Sequence, residues 1–280
     1  MANVLKREKQ EAVIRCLVNG SSVRATERMA GVRDTVIRLM KRIGAGCEQI
    51  MDSEMRHLEC RHLQLDEIWA FVGKKQRWVT RRDDPRQVGD FYTFVALDED
   101  TRLIPTYKVG KRDKATTEAF IADLASRLAI RPQISADGFW AYVEAIDRSF
   151  GADVDFAQIV KFYEAEPIGP GRYSPPKVVD TEKRIIWGDP DPDRISTSYV
   201  ERQNLTMRMN MRRLTRLTNG FSKSVISLRA AVALYFGHYN FVRIHRSLRT
   251  TPAMAAGATT KLWTIGDLVD SQESSSCASM

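Results

Sequence analysis

Apolar and polar positions change period several times along the chain, and each change marks an element. Between residues 6 and 50 the spacing is helical. Ala12, Val13, Leu17 and Val18 predict one helix from Arg7 to Val18, stopped by Asn19-Gly20, and Ser21 or Ser22 can cap a shorter helix through Met29. Gly31-Val32 turns the chain into a third helix, Asp34 to Ile43, whose apolar stripe is Val36, Ile37, Met40 and Ile43. Gly44-Ala-Gly46 and the polar stretch to Arg61 read as a connector with a helical portion. From Leu63 the period drops to two. Leu63, Leu65, Glu67, Trp69 and Phe71 face one way, and Gln64, Asp66, Ile68, Ala70 and Val72 the other, so a strand is expected.

Lys74 to Gln87 is a basic, turn-rich excursion. Two further strands follow, Phe91 to Leu97 and Arg102 to Val109, joined by a turn in which Asp98 and Asp100 are turn formers. Phe120, Leu124 and Leu128 predict a helix over Thr116 to Ala129. A short strand, Gln133 to Gly138, then leads to a helix from Phe139 to Phe150, and Val154 to Tyr163 is a fifth strand. Residues 164–195 carry six prolines and three glycines and read as a flexible loop or insertion. Beyond them Val200, Met207, Met211 and Leu214 form the buried stripe of a helix with Glu201, Asn204, Arg208 and Arg212 on the adjacent face. A last long helix, capped by Ser222 or Ser224, runs to about Asn240. The serine-rich end from Ser271 reads as disordered. This order suits a mixed five-stranded sheet flanked by helices, an α/β fold.

Charge adds a partner to that picture. The 280 residues hold 43 Lys and Arg against 35 Asp and Glu, and from Glu201 through Arg249 no second acid occurs while ten basic residues do. A surplus so concentrated points to a polyanion. The first fifty residues suit a helix-turn-helix whose last helix would bring Arg33, Arg38, Lys41 and Arg42 to a DNA groove; a small helical bundle with solvated charges is the alternative. Lys223, Arg243 and Arg246 are phosphate contacts or a solvated basic face. Four scattered cysteines without a C-x-x-C pair argue against a disulfide framework or a cysteine zinc site. The chain contains no apolar run long enough for a membrane helix and starts in charge rather than a signal-peptide core, so a cytoplasmic, nucleoid-associated protein without a membrane partner is expected.

Three acids stand in unusual places. Asp66 interrupts a strand face that becomes apolar, Asp137 ends a strand just before a glycine, and Glu201 is alone in the basic window. Each has an ordinary reading: Asp137-Gly138 is a turn dipeptide, and Ser198-Tyr-Val-Glu201 fits a capping box. Together at one end of the sheet they would repel, and magnesium or manganese is the usual compensation. A pair of ions about 3.5–4 Å apart would activate an attacking oxygen and stabilise the leaving one, which is phosphodiester chemistry.

The blocks Asp66-Glu67-x-Trp69-x-x-Val72, Asp137-Gly138-x-Trp140-x-Tyr142, Glu201-Arg202-x-Asn204-Leu205-x-x-Arg208, Phe221-Ser222-Lys223-Ser224 and His238-Tyr239-Asn240 carry a resemblance. With them the chain resembles the DDE transposases of bacterial insertion sequences, closest to the insertion-sequence-one type. The resemblance implies an RNase H-like catalytic domain over 62–256, after a helix-turn-helix domain (1–50) and a connector (51–61), with the insertion at 164–195 and a tail from 257 to 280. It implies cutting and joining of double-stranded DNA at terminal inverted repeats and in target DNA by a homo-oligomer. A DNA-binding regulator that has lost the chemistry is the alternative. Asp66, Asp137 and Glu201 match the metal triad. Asn204, Arg208 and Arg212 would hold backbone phosphates, and Trp69 and Trp140 would pack the core.

Overall fold

The computed structural model describes residues 5–164, 178–216 and 218–271. Three helices open the chain: α1 (Arg7–Val18), α2 (Val23–Ala30) and α3 (Val36–Glu54). Ser22 caps α2 by accepting from the Ala25 N–H, and Gly31, left-handed at φ 61°, ends it. Helix α3 does not stop at Ile43. It continues through Gly44 and Gly46 because these glycines serve packing rather than a break. A Cβ on Gly44 would lie 2.3 Å from the carbonyl oxygen of Ala230, and one on Gly237 would lie 2.7 Å from the side chain of Cys47. The missing side chains let α3 lie directly on α7 (Val225–Phe241). Much of the expected connector is therefore helix.

The sheet has six strands: β1 (His62–Val72), β2 (Gly89–Asp98), β3 (Tyr107–Gly110), β4 (Gln133–Asp137), β5 (Asp155–Tyr163) and β6 (Val178–Trp187). Their spatial order is β3-β2-β1-β4-β5-β6. The β1/β2, β2/β3 and β5/β6 pairs are antiparallel, while β1/β4 and β4/β5 are parallel. Five strands were expected. The sixth lies where a loop was read, because β6 is exposed along most of its length and its sequence has no apolar alternation to betray it. It is a strand through its backbone pairing with β5. Residues 165–177 of the proline-rich stretch lie outside the described residues, as does most of the serine-rich end.

Strand β3 is shorter than the apolar run predicts. Leu103 and Ile104 are fully buried without a ladder. The buried Asn240 side chain takes its place, accepting from the Ile104 N–H at 3.1 Å and donating to the Ile104 carbonyl at 2.9 Å. Helices α4 (Lys114–Arg127) and α5 (Ala141–Phe150) pack on one another, and α6 (Ser198–Asn210) rests against β1 and β2. Two short helices, α8 (Pro252–Ala255) and α9 (Ile265–Asp270), complete the chain, α9 lying against α1. One buried apolar cluster runs from Val13 to Val269 and includes residues of α1, α3, the sheet and α7. No helix among the described residues is long and apolar enough to cross a membrane.

Candidate active site

The site follows from strand register. Parallel strands β1 and β4 pair from His62 with Gln133 to Leu65 with Ala136. Asp66 and Asp137 are the next residues on each strand. In a parallel pair such neighbours point to the same side, about 4.8 Å apart. The Asp137 side chain is fixed by the turn it begins, its Oδ1 accepting from the Phe139 N–H at 3.0 Å. Gln158 on β5 holds that turn, donating to the carbonyls of Asp137 and Phe139. Glu67 joins the two aspartates: one oxygen of each of Asp66, Glu67 and Asp137 lies within 4.8 Å of the others.

These acids are costly. Burial, with the charges of Asp137 and Glu201, pushes the Asp66 carboxyl up to about 6 against the N–H of Glu67 and the amide of Asn204. Burial and Asp137 push Glu67 up to about 7. Its side chain is only 3% exposed, and the neighbouring Tyr142 hydroxyl and Arg112 oppose the rise. Arg112 offsets part of the charge, its Nε at 3.2 Å from Glu67 Oε2 and its Nη2 at 3.3 Å from Asp137 Oδ2, while its guanidinium lies over the Phe139 ring. All donors are carboxylate oxygens that lie within 4.8 Å of one another, and two of the groups are raised by burial. This is chemistry that fits magnesium or manganese.

A pH dependence follows. Glu67 releases its proton near 4.5 when unfolded and near 7 when folded, and Asp66 near 3.8 and 6. Between those values the folded chain binds more protons at these groups, so their contribution to stability falls as pH rises from about 4 to 7. Half-buried His238, its pKa lowered to about 4 by desolvation, acts in the opposite sense, so the contribution is isolated by comparison: in thermal melts of the metal-free protein, Tm of Glu67→Gln should gain on that of the wild type as pH rises across that interval. Equal slopes in both proteins would refute this account.

Glu201 reaches the site differently. Helix α6 starts one residue earlier than a capping box requires, with Thr197 at the cap and no side-chain cap bond there. Gln64 of β1 does the capping instead, its Oε1 accepting from the N–H groups of Tyr199 at 2.9 Å and Val200 at 3.1 Å. The Glu201 carboxylate is thereby released from backbone duty. It accepts from the Thr197 hydroxyl at 2.5 Å and pairs with Lys161 of β5. It lies outside the three-acid group, although its charge is felt at Asp66.

One helical turn on, Asn204 is buried and donates to Asp66 Oδ2 at 2.8 Å. It orients a carboxylate rather than standing free for a phosphate. Arg208, the next expected phosphate ligand, is half-buried and donates to the Leu214 carbonyl at 3.2 Å; burial and Arg216 lower its pKa to about 10. Arg212, Lys223 and Arg246 are exposed, and Arg243 is half-buried. Arg33 and Arg38 on the amino-terminal helices are exposed, Lys41 is half-buried, and the exposed Arg42 is hydrogen-bonded to Gln10. Trp140, expected in the core, is 62% exposed beside Asp137. Sequence reasoning missed Glu67, Arg112 and Lys161. The burial argument applied to Asp66 could have flagged Glu67, but Arg112 and Lys161 come into play only through the strand order.

What the fold and site define is a mixed α/β protein with an acidic cluster at the end of two parallel central strands. No family model matches the chain, and no curated protein matches it.

Proposed function

We propose that the protein is a DNA transposase, cutting and joining phosphodiester bonds at the ends of a mobile element with magnesium or manganese. The observation that carries this reading is the register that sets Asp66 beside Asp137 while α6 presents Asn204 and Glu201 on the Asp66 side. The antiparallel β1–β2–β3 unit continued by parallel β4 and β5 is compatible with an RNase H-like sheet extended by β6. Exposed Arg33, Arg38 and Arg42 beside the Gly31 turn support a helix-turn-helix that grips duplex DNA, and the basic stretch after Glu201 supports a polyanionic substrate.

Asp66, Asp137 and Glu201 would hold the cation, with Glu67 as a further oxygen donor. Bound there, the ion supplies activation of the attacking oxygen and stabilisation of the leaving one. The chain's own residues prepare the place. Asn204 fixes the Asp66 carboxylate, Gln158 fixes the Asp137 turn, and Arg112 and Lys161 limit repulsion among the acids.

The test is a plasmid carrying this gene with its flanking DNA, incubated with the purified full chain. Strand nicking and joined product are expected with magnesium or manganese, and chelation by EDTA should return both to background. Cutting that persists in EDTA would overturn the reading. Sequence-specific binding without any cut strand would replace it with a DNA-binding regulator.

A further inference from the structure

Beyond Leu65 and Ala136 the edge of β1 that faced β4 is left open. Pairing on that edge resumes at Val72, which bridges to Ser222, so among the described residues the edge from Asp66 to Phe71 has no strand partner. Aromatic rings border this opening. Trp69 and Phe71, alternate residues on the Glu67 side of β1, have ring centroids 5.9 Å apart, and Phe71 meets Phe221 at 4.4 Å. All three are only partly buried. Cations cap them: the Lys75 amine lies 6.0 Å from the Phe71 centroid, and that of Lys223 lies 2.9 Å from the Phe221 centroid.

Trp140 stands next to the acids on β4. Its backbone is fixed at the start of α5, its ring meets that of Phe139 edge-on at 5.9 Å, and it is 62% exposed. Arg112 joins the two groups of rings, resting on Phe139 while it bridges Glu67 and Asp137. The acids thus sit within a band of aromatic faces interleaved with Arg112, Lys75 and Lys223.

Duplex DNA has no use for such a band, because its bases are already stacked and its edges call for hydrogen-bonding groups. Unpaired bases do use it, since every base has a face to stack and the cations follow the backbone. We infer that the acidic cluster takes its nucleic acid as a single strand, with an unpaired base stacked on Trp140 and the neighbouring strand lying along Trp69, Phe71 and Phe221. This rests on nucleic acid being the substrate and specifies its form: local melting precedes the chemistry. The duplex grip assigned to the amino-terminal helices is separate from this strand track.

The experiment measures binding by the full chain in EDTA, by fluorescence anisotropy, with three labelled probes: a short oligothymidylate, an abasic strand of equal length and charge, and a blunt hairpin duplex. Trp140→Ala should weaken oligothymidylate binding about ten-fold, the loss of one stacked base, while leaving the abasic strand and the duplex unchanged. Trp140→Phe should restore most of the affinity. Because the ring is exposed, both variants should melt with the wild type. The inference is overturned if Trp140→Ala binds oligothymidylate as the wild type does, or if the wild type binds the abasic strand equally well. No cleavage enters these measurements. An absence of nicking therefore removes the catalytic reading alone, and nicking with base-independent binding removes the strand track alone.

Discussion

On the transposase proposal, Asp66→Asn should reduce metal-dependent DNA nicking by at least about 100-fold, more than the 10–100-fold typical of residues that only support a metal ligand. The carboxylate lies between Asp137 and the charge of Glu201, and the fold holds it against a burial penalty that raises its pKa to about 6. Asparagine keeps an oxygen to accept from Asn204, so the packing survives the change. What disappears is the negative charge. The metal-free variant should therefore melt at or above the wild-type temperature, because a poorly solvated charge has been removed. Asp137→Asn should behave alike in the nicking assay, while Asp147→Asn, on the exposed side of α5, should leave nicking unchanged. Full nicking by Asp66→Asn, or inactivity that merely tracks a lowered Tm, would contradict the role given to this residue.

Arg127→Met costs about 1–3 kcal/mol of stability, the usual result of leaving buried hydrogen-bonding groups without their partner. The Arg127 side chain is 8% exposed at the end of α4. It donates to the carbonyls of Met51 at 2.9 Å and Met55 at 3.3 Å, to Asp52, and to both oxygens of Asp123. Those two carbonyls belong to the end of α3 and its following residue; that of Met51 also accepts from the Met55 N–H, while that of Met55 lies past the helix end. Burial would raise the Asp123 carboxyl, but hydrogen bonds from Arg127 and Thr106 hold it below its usual range. Methionine fills the space and satisfies none of these groups. At about 2–4 °C per kcal/mol, Tm should drop by about 2–12 °C. Arg127→Lys should recover only part, since one ammonium cannot reproduce the fork of a guanidinium. A loss below about 1 kcal/mol would show that water replaces the arginine without difficulty.

The parts of this fold that were legible in the sequence are those whose burial pattern is their cause. The alternation through Leu63–Val72 and the apolar spacing of Phe120 and Leu124 each led to the right element. Elements built on partners elsewhere were not legible. Strand β6 depends on the backbone of β5, Leu103-Ile104 on one asparagine of α7, and the continuation of α3 through Gly44 on the surface of α7. The site divides in the same way. Asp66 and Asp137 were visible because a strand face and a strand end are poor places for an unassisted acid. The capping reading of Glu201 was sound local reasoning, and Gln64, remote in sequence, displaced it. Asn204 showed a phosphate-binding residue type to a local reading, but its neighbour across the fold is a carboxylate.

The contact of Gly44 with Ala230 bears on how this chain can diversify. The helix that closes the amino-terminal group is also a wall of the molecule's interior, fitted to α7 with no room for even a methyl group. Recombination that gave this protein a new front end would have to bring a matching α7, encoded far downstream. The two helices must be inherited as a pair, and lineages of this protein should vary the amino-terminal group by substitutions on the exposed side of the first three helices rather than by exchange of whole modules.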